Sequence, residues 1–408
     1  MGYGRYIAAV ALAVLAAAGP VAAQQLLPPP VSVPGGREVS VDLIANLIYN
    51  SNVAASNEAS AAARGLTQAD EIFNPAVNFT LARNIGSQLA FLQGGAGYNF
   101  YDHNSVLDRA NLDISGGLNG RLGPCDDTLT GSYVLQQSDL DYTQTNTVKN
   151  LVQLPTVGLT ATCGRPIGFA PTASVSGSWR INSSETLKPS DSGTFNATAG
   201  LAYRQPALGV ITAFGEYGET NFQNSQIYFN GSILTSGYNI YGGGISYSRN
   251  IGARLDLTAS LSYISLVENI PGTQGFNGIT YSFDGTYKVG PRLTAHARFA
   301  RATLPSNQTN GTFSLSEVYE ADASYLASSR LTFDLLGSIT HQTFEGVPLN
   351  NALALTEQTI DKINASATFK ASQHLSLTLN GGWQQRDANE PGFSYSAAIV
   401  SLAVSAPF

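Results

Sequence analysis

The sequence predicts an all-β chain, a transmembrane antiparallel β-barrel of about 18 strands with short turns at one end and longer loops at the other. Three observations carry this. Apolar and polar residues alternate in runs of about ten residues, the period at which a strand sends side chains to opposite faces. Short and long links alternate between those runs, as in a barrel whose two ends differ. Charged residues make up only 12% of the 408, against about a quarter in ordinary soluble domains, while 19 Tyr and 18 Phe stand beside a single Met.

Tyr3-Gly4-Arg5-Tyr6 precede an apolar run from Ile7 to Ala18. Gly19 and Pro20 end it, and Val21-Ala22-Ala23 fits a small-residue cleavage site. Residues 1–23 thus read as a secretory signal peptide cut after Ala23. The alternative is an uncleaved anchor, but the apolar core falls short of the ~20 residues a spanning helix needs. No later stretch is a long uninterrupted apolar run. The mature chain can therefore cross a membrane only as a closed barrel, where backbone groups pair between strands. A net charge of −7 argues against nucleic-acid binding, which needs a basic face. Residues 24–36, with Leu27-Pro28-Pro29-Pro30 and Pro34-Gly35-Gly36, read as an extended Pro-rich periplasmic lead-in. The barrel takes residues 37–408.

Strand one sets Val39, Val41, Leu43, Ala45, Leu47 and Tyr49 on one face, and Glu38, Ser40, Asp42 and Asn46 on the other, interrupted by Ile44 and Ile48. A polar, alanine-rich loop follows from Asn50 to Asp70. Strand two turns Phe73, Val77, Phe79 and Leu81 outward and Asn74, Asn78 and Thr80 inward; Pro75 interrupts its ladder. The same alternation recurs at Ala110–Leu122, Thr172–Arg180, Arg254–Tyr263 and Leu375–Arg386. Strands this long match tilted membrane strands better than those of soluble sheets. A soluble propeller, the competing all-β reading, would show four shorter strands per repeat.

Short turns fall at Gly123–Asp126, Gly164–Ile167, Gln205–Leu208, Asn250–Ala253, Val289–Arg292, Ala327–Arg330 and Ala371–His374. Longer polar links fall at Asp139–Lys149, Ser183–Ser192, Asn221–Thr235, Glu268–Phe276, Leu304–Thr312 and Thr343–Leu355. The short turns are assigned to the periplasm and the long loops to the outside. Tyr203, Tyr247, Tyr287, Tyr325, Phe369 and Phe408 each stand near a strand end running toward a short turn or the C-terminus, as a periplasmic aromatic girdle requires. Tyr217, Tyr241, Tyr263, Tyr281, Phe299, Tyr319 and Trp383 supply the opposite girdle.

Cys125 lies in a short turn and Cys163 ends the strand that follows the loop near Tyr142–Lys149. A hairpin between them brings both to its periplasmic end, so in an oxidising compartment they predict a disulfide. Two thiols without a nearby His make a poor metal set. There is no P-loop, HExxH or GxSxG motif, so no catalytic residue, cofactor or metal is assigned.

The most pointed lumen feature is a charged cluster of Asp284, His296, Arg298, Glu320, Asp322 and Asp334 on the inward set of four successive strands. Hairpin folding is expected to set His296 opposite Asp284, Glu320 near His296, and Asp322 near Asp334. Two readings stay open: a constriction that filters solutes, or ion pairs that fill the wall. Inward carboxylates outnumber Arg298 there and predict a mild cation preference. Arg121, Arg180, Arg204, Arg254, Lys288, Lys370 and Arg386 oppose it from positions mostly nearer the mouths.

The stretch Ser394–Phe408 alternates Ala398, Val400, Leu402, Val404, Ala406 and Phe408 against a more polar face. It resembles the terminal strand of bacterial outer-membrane barrels, which their assembly machinery reads. That resemblance implies two partners, outer-membrane lipid and the assembly machinery acting through Phe408. Tyr49-Asn50-Ser51-Asn52-Val53 resembles the opening motif of a porin family (beta-barrel porin 2-like) often encoded beside exopolysaccharide genes; Ser51 departs from the acidic residue often found there. The resemblance implies an outer-membrane pore for hydrophilic solutes, linked to polysaccharide or its export machinery. The rival is a structural or adhesive barrel plugged by its own loops, with Asn50–Asp70 and Asn221–Thr235 as candidates.

Overall fold

The computed structural model describes residues 33–137, 150–164, 167–229, 232–273, 275–306, 311–347 and 355–408. The expected signal peptide, most of the Pro-rich lead-in and all of the Asp139–Lys149 link lie outside these residues. The described chain forms one sheet of 18 antiparallel strands. They are β1 (Glu38–Asn50), β2 (Asp70–Ile85), β3 (Gln88–Tyr101), β4 (Arg109–Leu122), β5 (Cys125–Gln137) and β6 (Leu151–Cys163). Then come β7 (Gly168–Asn182), β8 (Ser192–Gln205), β9 (Gly209–Phe229), β10 (Ser232–Ile251), β11 (Leu255–Glu268) and β12 (Phe276–Lys288). The last are β13 (Leu293–Pro305), β14 (Phe313–Leu326), β15 (Leu331–Glu345), β16 (Glu357–Ser372), β17 (Leu375–Ala388) and β18 (Tyr395–Pro407). Each strand pairs with the next, and β1 pairs with β18 from Asp42↔Pro407 to Asn50↔Ile399, so the sheet closes.

Closure explains the alternation, since a barrel has no free edge and every strand has an outside and an inside. On β1, Leu43 and Leu47 are more than half exposed, whereas Asn46 between them is buried. Leu379 on β17, Leu335 on β15 and Tyr263 on β11 stand outward in the same way. In a soluble fold these side chains would point to a dry core; here they form an exposed apolar belt.

The turn end is tight. Ile85 pairs with Gln88 and Leu122 with Cys125, leaving two-residue links that open on Gly86 (φ 63°) and Gly123 (φ 60°). Positive φ at this position suits the twist of a hairpin and favours Gly. Pro75 pairs with Ala45 on the β1 side, and the β2–β3 ladder skips from Phe73↔Phe100 to Ala76↔Gly97, as a missing donor dictates.

The loop end differs from expectation in two places. The Asn50–Asp70 segment contains a short helix, α1 (Glu58–Ala63). Asn57 caps it by accepting from the Ser60 N–H at 2.8 Å. Ala54, Ala61 and Leu66 pack on Leu107 from the β3–β4 link. Asp70 anchors this layer, accepting from the N–H groups of Glu71 (2.8 Å), His103 (3.0 Å) and Asn104 (2.8 Å) and from the Asn104 amide (2.7 Å). Asn221–Thr235, expected as a loop, is instead mostly strand: β9 and β10 form the longest hairpin of the wall, with a register shift between Thr235 and Gly237. Beyond an apolar belt a strand need not alternate, so backbone pairing leaves no period in the sequence.

Burial alone would raise the Asp70 carboxyl. The backbone N–H of His103 and of Asn104, the Asn104 amide and the Glu71 N–H outweigh it and hold the group below the usual carboxylate value. A depressed folded value stabilises at pH above the unfolded ~3.9 and is lost as pH falls through the folded one. Limited proteolysis within Asn50–Asp70 should therefore accelerate below about pH 4 in the native protein. Asp70→Asn should already be cleaved faster at neutral pH, with little further change on acidification. Unchanged cleavage in the variant would remove Asp70 as the anchor.

Candidate functional site: the barrel lumen

Alternation settles which charges face inward. Asp284 on β12, His296 and Arg298 on β13, Glu320 and Asp322 on β14, and Asp334 on β15 all share the face opposite the exposed Phe299, Tyr319 and Phe333. Their mutual contacts differ from the expected ones. His296 pairs across the ladder with Thr286 and Asp322, not with Asp284. It still reaches both acids, its Nδ1 standing 3.2 Å from Asp322 Oδ1 and its Nε2 3.2 Å from Asp284 Oδ2. Glu320 lies opposite Arg298 rather than beside His296. Asp334 lies opposite Ser324 and Ser366 and accepts from the Ser366 hydroxyl at 3.1 Å; Asp322 lies opposite Leu336. Asp322 and Asp334 are thus diagonal neighbours on the inward face, displaced by two residues along the ladder, because the sequence pattern does not fix register at turns of uncertain length. Arg298 makes no ion pair within 4 Å among the described residues, although Asp284 and Glu320 flank it.

Further inward carboxylates stand away from the strand ends, and sequence reasoning left them out of the cluster. Asp42 on β1 and Asp113 on β4 share the polar faces of their strands. Glu216 on β9 lies over Gly242 of β10, where a Cβ would come within 2.7 Å of Glu216 Oε1. Their signal was present, since each has the inward parity, but none lies on a strand next to the others. Together with Asp284, Glu320, Asp322 and Asp334 they outnumber the mid-strand inward cations Arg298 and Lys362. Near the turn end, Arg121, Arg254, Lys288 and Lys370 are exposed.

Toward the loop end the inward face is dry. Asn46, Thr220, Ile264, Gln342 and Arg386, on five different strands, are all buried. A barrel of this strand number is wide enough for water; at Arg386 the Phe393 ring, and over Phe222, Tyr238 and Leu266 the Phe313 ring, take its place. Across β14–β17 a ladder of buried side chains spans the wall. Arg386 Nη2 donates to Gln358 Oε1, Gln358 Nε2 to Gln342 Oε1 (2.6 Å), and Gln342 Nε2 to Ser316 Oγ (3.4 Å). The Arg386 guanidinium also lies 5.3 Å from the Phe393 ring centroid, beside a cluster of Phe344, Leu355 and Phe393.

No protein-family description and no curated protein matches the chain. Among solved structures it is similar to Pseudomonas aeruginosa OccK2 (OpdF), at 13% identity and a TM-score of 0.46, over 91% of this chain and 99% of that one. It is also similar to Acinetobacter baumannii OccAB3 (11%, 0.44; 91% and 99%). A third is the siderophore receptor PirA from Pseudomonas aeruginosa (13%, 0.42; 92% and 81%). At that level the likeness says nothing of cargo.

The remaining predicted residues lie on the wall. A disulfide links Cys125 and Cys163, which face each other across β5 and β6 at the turn end. Tyr203, Tyr247, Tyr287, Tyr325 and Phe369 have outward parity near the turn end, and Tyr203 packs on Phe169 with ring centroids 5.1 Å apart. Phe408 exposes its ring, while its N–H donates to the Val41 carbonyl at 2.8 Å. Toward the loop end, Tyr217 packs on Tyr241 (5.5 Å) and Phe299 on Tyr319 (6.1 Å). Just beyond them Arg301 and Glu317 pair at 3.1 Å. No cluster of His, Cys, Asp or Glu suited to a metal occurs among the described residues.

Proposed function

We propose that the barrel sits in the outer membrane of a Gram-negative bacterium and passes small hydrophilic solutes, with a mild preference for cations. The observation that carries this reading is the two-sided wall: exposed apolar side chains outside and carboxylates, amides and hydroxyls inside. The Tyr and Phe rows near each end suit the two membrane interfaces. Lipid then covers the belt, and β18 with Phe408 is the strand offered to the assembly machinery. Carboxylates that outnumber cations in mid-lumen favour cation entry.

In a KCl gradient across a planar bilayer, the reversal potential should carry the sign of cation preference. Asp284→Asn with Asp322→Asn should move it toward zero, because His296 then loses both carboxylates and the lumen two negative charges. Anion preference in the native protein, or no shift in the variant, would overturn the selectivity assignment.

The dry loop end favours a second reading, a barrel plugged by its own chain. Steady ohmic steps support passage, whereas silence from correctly folded protein supports the plug. A polysaccharide cargo rests on the Tyr49–Val53 motif alone. Its polar residues are engaged structurally: Ser51 Oγ accepts from the Ala398 N–H at 2.8 Å, and the Asn52 amide donates to the Ser56 and Ser396 carbonyls at 2.9 and 3.2 Å.

A further inference from the structure

The wall parts at one seam. β12 and β13 pair over eight positions, from Lys288↔Thr294 to Tyr281↔Arg301, and no further. Beyond that point β12 continues to pair with β11 as far as Phe276↔Leu266, and β13 with β14 as far as Pro305↔Phe313. The loop ends of the two hairpins have therefore separated. The β13–β14 end has moved across the inside. Phe313 is fully buried among Phe222, Tyr238 and Leu266, whose side chains have inward parity on β9, β10 and β11. Its ring meets Tyr238 edge-on at 6.0 Å. The Arg301 guanidinium fills the seam, 5.8 Å from the Phe276 ring centroid.

One polar contact fastens this flap. The Thr312 hydroxyl donates to Glu268 Oε1 at the end of β11, and accepts from the Val347 N–H at 3.3 Å. Gly346, at φ 88°, closes over the pair; a side chain there would collide with Thr312 Oγ1 and Glu268 Oε1. Glu268 is buried, and its Oε2 has no hydrogen-bond partner among the described residues. An ionised carboxylate with one bare oxygen in a dry site costs far more than the neutral acid, which buries a bare polar atom but no charge.

We propose that the outer end of the β13–β14 hairpin, Thr312–Ser316, is a flap over the lumen latched by the neutral acid of Glu268, and that ionisation of Glu268 releases it. This rests on reading the lumen as the solute path. The titratable or charged groups on the strands packed around the latch include Tyr238 on β10, Arg301 on β13, Glu317 on β14 and Glu345 at the end of β15. None of the cationic groups comes within 4 Å of Glu268 among the described residues. Glu268 stands five residues beyond the outward Tyr263, clear of the apolar belt. Burial pushes its carboxyl from the usual 4.5 up to about 7, with the Thr312 hydrogen bond pulling the other way. The closed state, having the raised value, is fully favoured below about 4.5 and loses ground as pH rises to about 7. Across that window the closed-to-open ratio falls on the order of 100-fold.

Amide hydrogen exchange of full-length protein in nanodiscs, corrected for intrinsic rates, reads the flap directly. Thr312–Ser316 should be protected at acid pH and lose protection toward neutrality, and Glu268→Gln should keep protection throughout. Equal protection across the window in the native protein, or a persistent pH response in Glu268→Gln, overturns the latch whatever the conductance does. Phe313→Ala keeps the carboxyl but removes the seat, and should lower protection at every pH. Conductance then separates the two ideas. Current that rises with pH in the native protein and is raised at every pH in Phe313→Ala supports both. Current without pH dependence overturns the latch and leaves the pore. Silence in every variant, with exchange behaving as expected, supports the latch and overturns the pore.

Discussion

Leu379→Arg should prevent stable membrane insertion. Leu379 lies in mid-β17, more than half exposed, between Ala367 of β16 and Leu402 of β18. A cation at the middle of an apolar belt costs ~2–4 kcal/mol when the surroundings are lipid, and next to nothing when they are water. Asn380→Arg one residue on should be tolerated, since Asn380 faces inward and gives up only a 3.0 Å hydrogen bond to the Ser401 hydroxyl. The fraction of heat-modifiable folded barrel after refolding into bilayers measures both. Equal yields for the two variants would overturn the belt as a lipid-facing surface.

Arg386→Ala should have the second large effect. The substitution strands Gln358 and Gln342 within a buried ladder and removes the cation packed on Phe393. Losing a hydrogen bond to a charged group and leaving the partner unsatisfied costs about 3 kcal/mol. The loop end should loosen, with a lower melting temperature in detergent and noisier, larger single-channel currents. Arg386→Lys should recover the charge but not the geometry of the planar fork. Unchanged melting in Arg386→Ala would mean that the ladder contributes nothing net.

What the sequence made legible follows from where the chain meets two solvents at once. On β1, β2, β11 and β17 one face is apolar and the other polar, so a period of two survives into the amino-acid order. The same holds for the inward parity of Asp284, His296 and Asp334. Partner assignment inside the lumen was less legible, because Asp322 and Asp334 sit on either side of a turn whose length sets the register. Least legible was the loop end. The outer half of β9–β10 carries polar residues on both faces, and six-residue α1 is too short for a helical period to show. The inward displacement of Phe313 depends on a break in pairing that no local pattern encodes.

The β9–β10 irregularity bears on how this protein can vary. An inserted residue in a paired strand turns every later side chain to the opposite face, which within the belt would be lethal to the wall. Between Asn221↔Gly237 and Gln226↔Thr235 the two strands already differ in length, so the ladder absorbs a mismatch there. Changes beyond that point leave the register below untouched. The tip of this hairpin is thus a part of the chain free to drift in length and composition, and a natural place to graft a foreign peptide without disturbing the barrel.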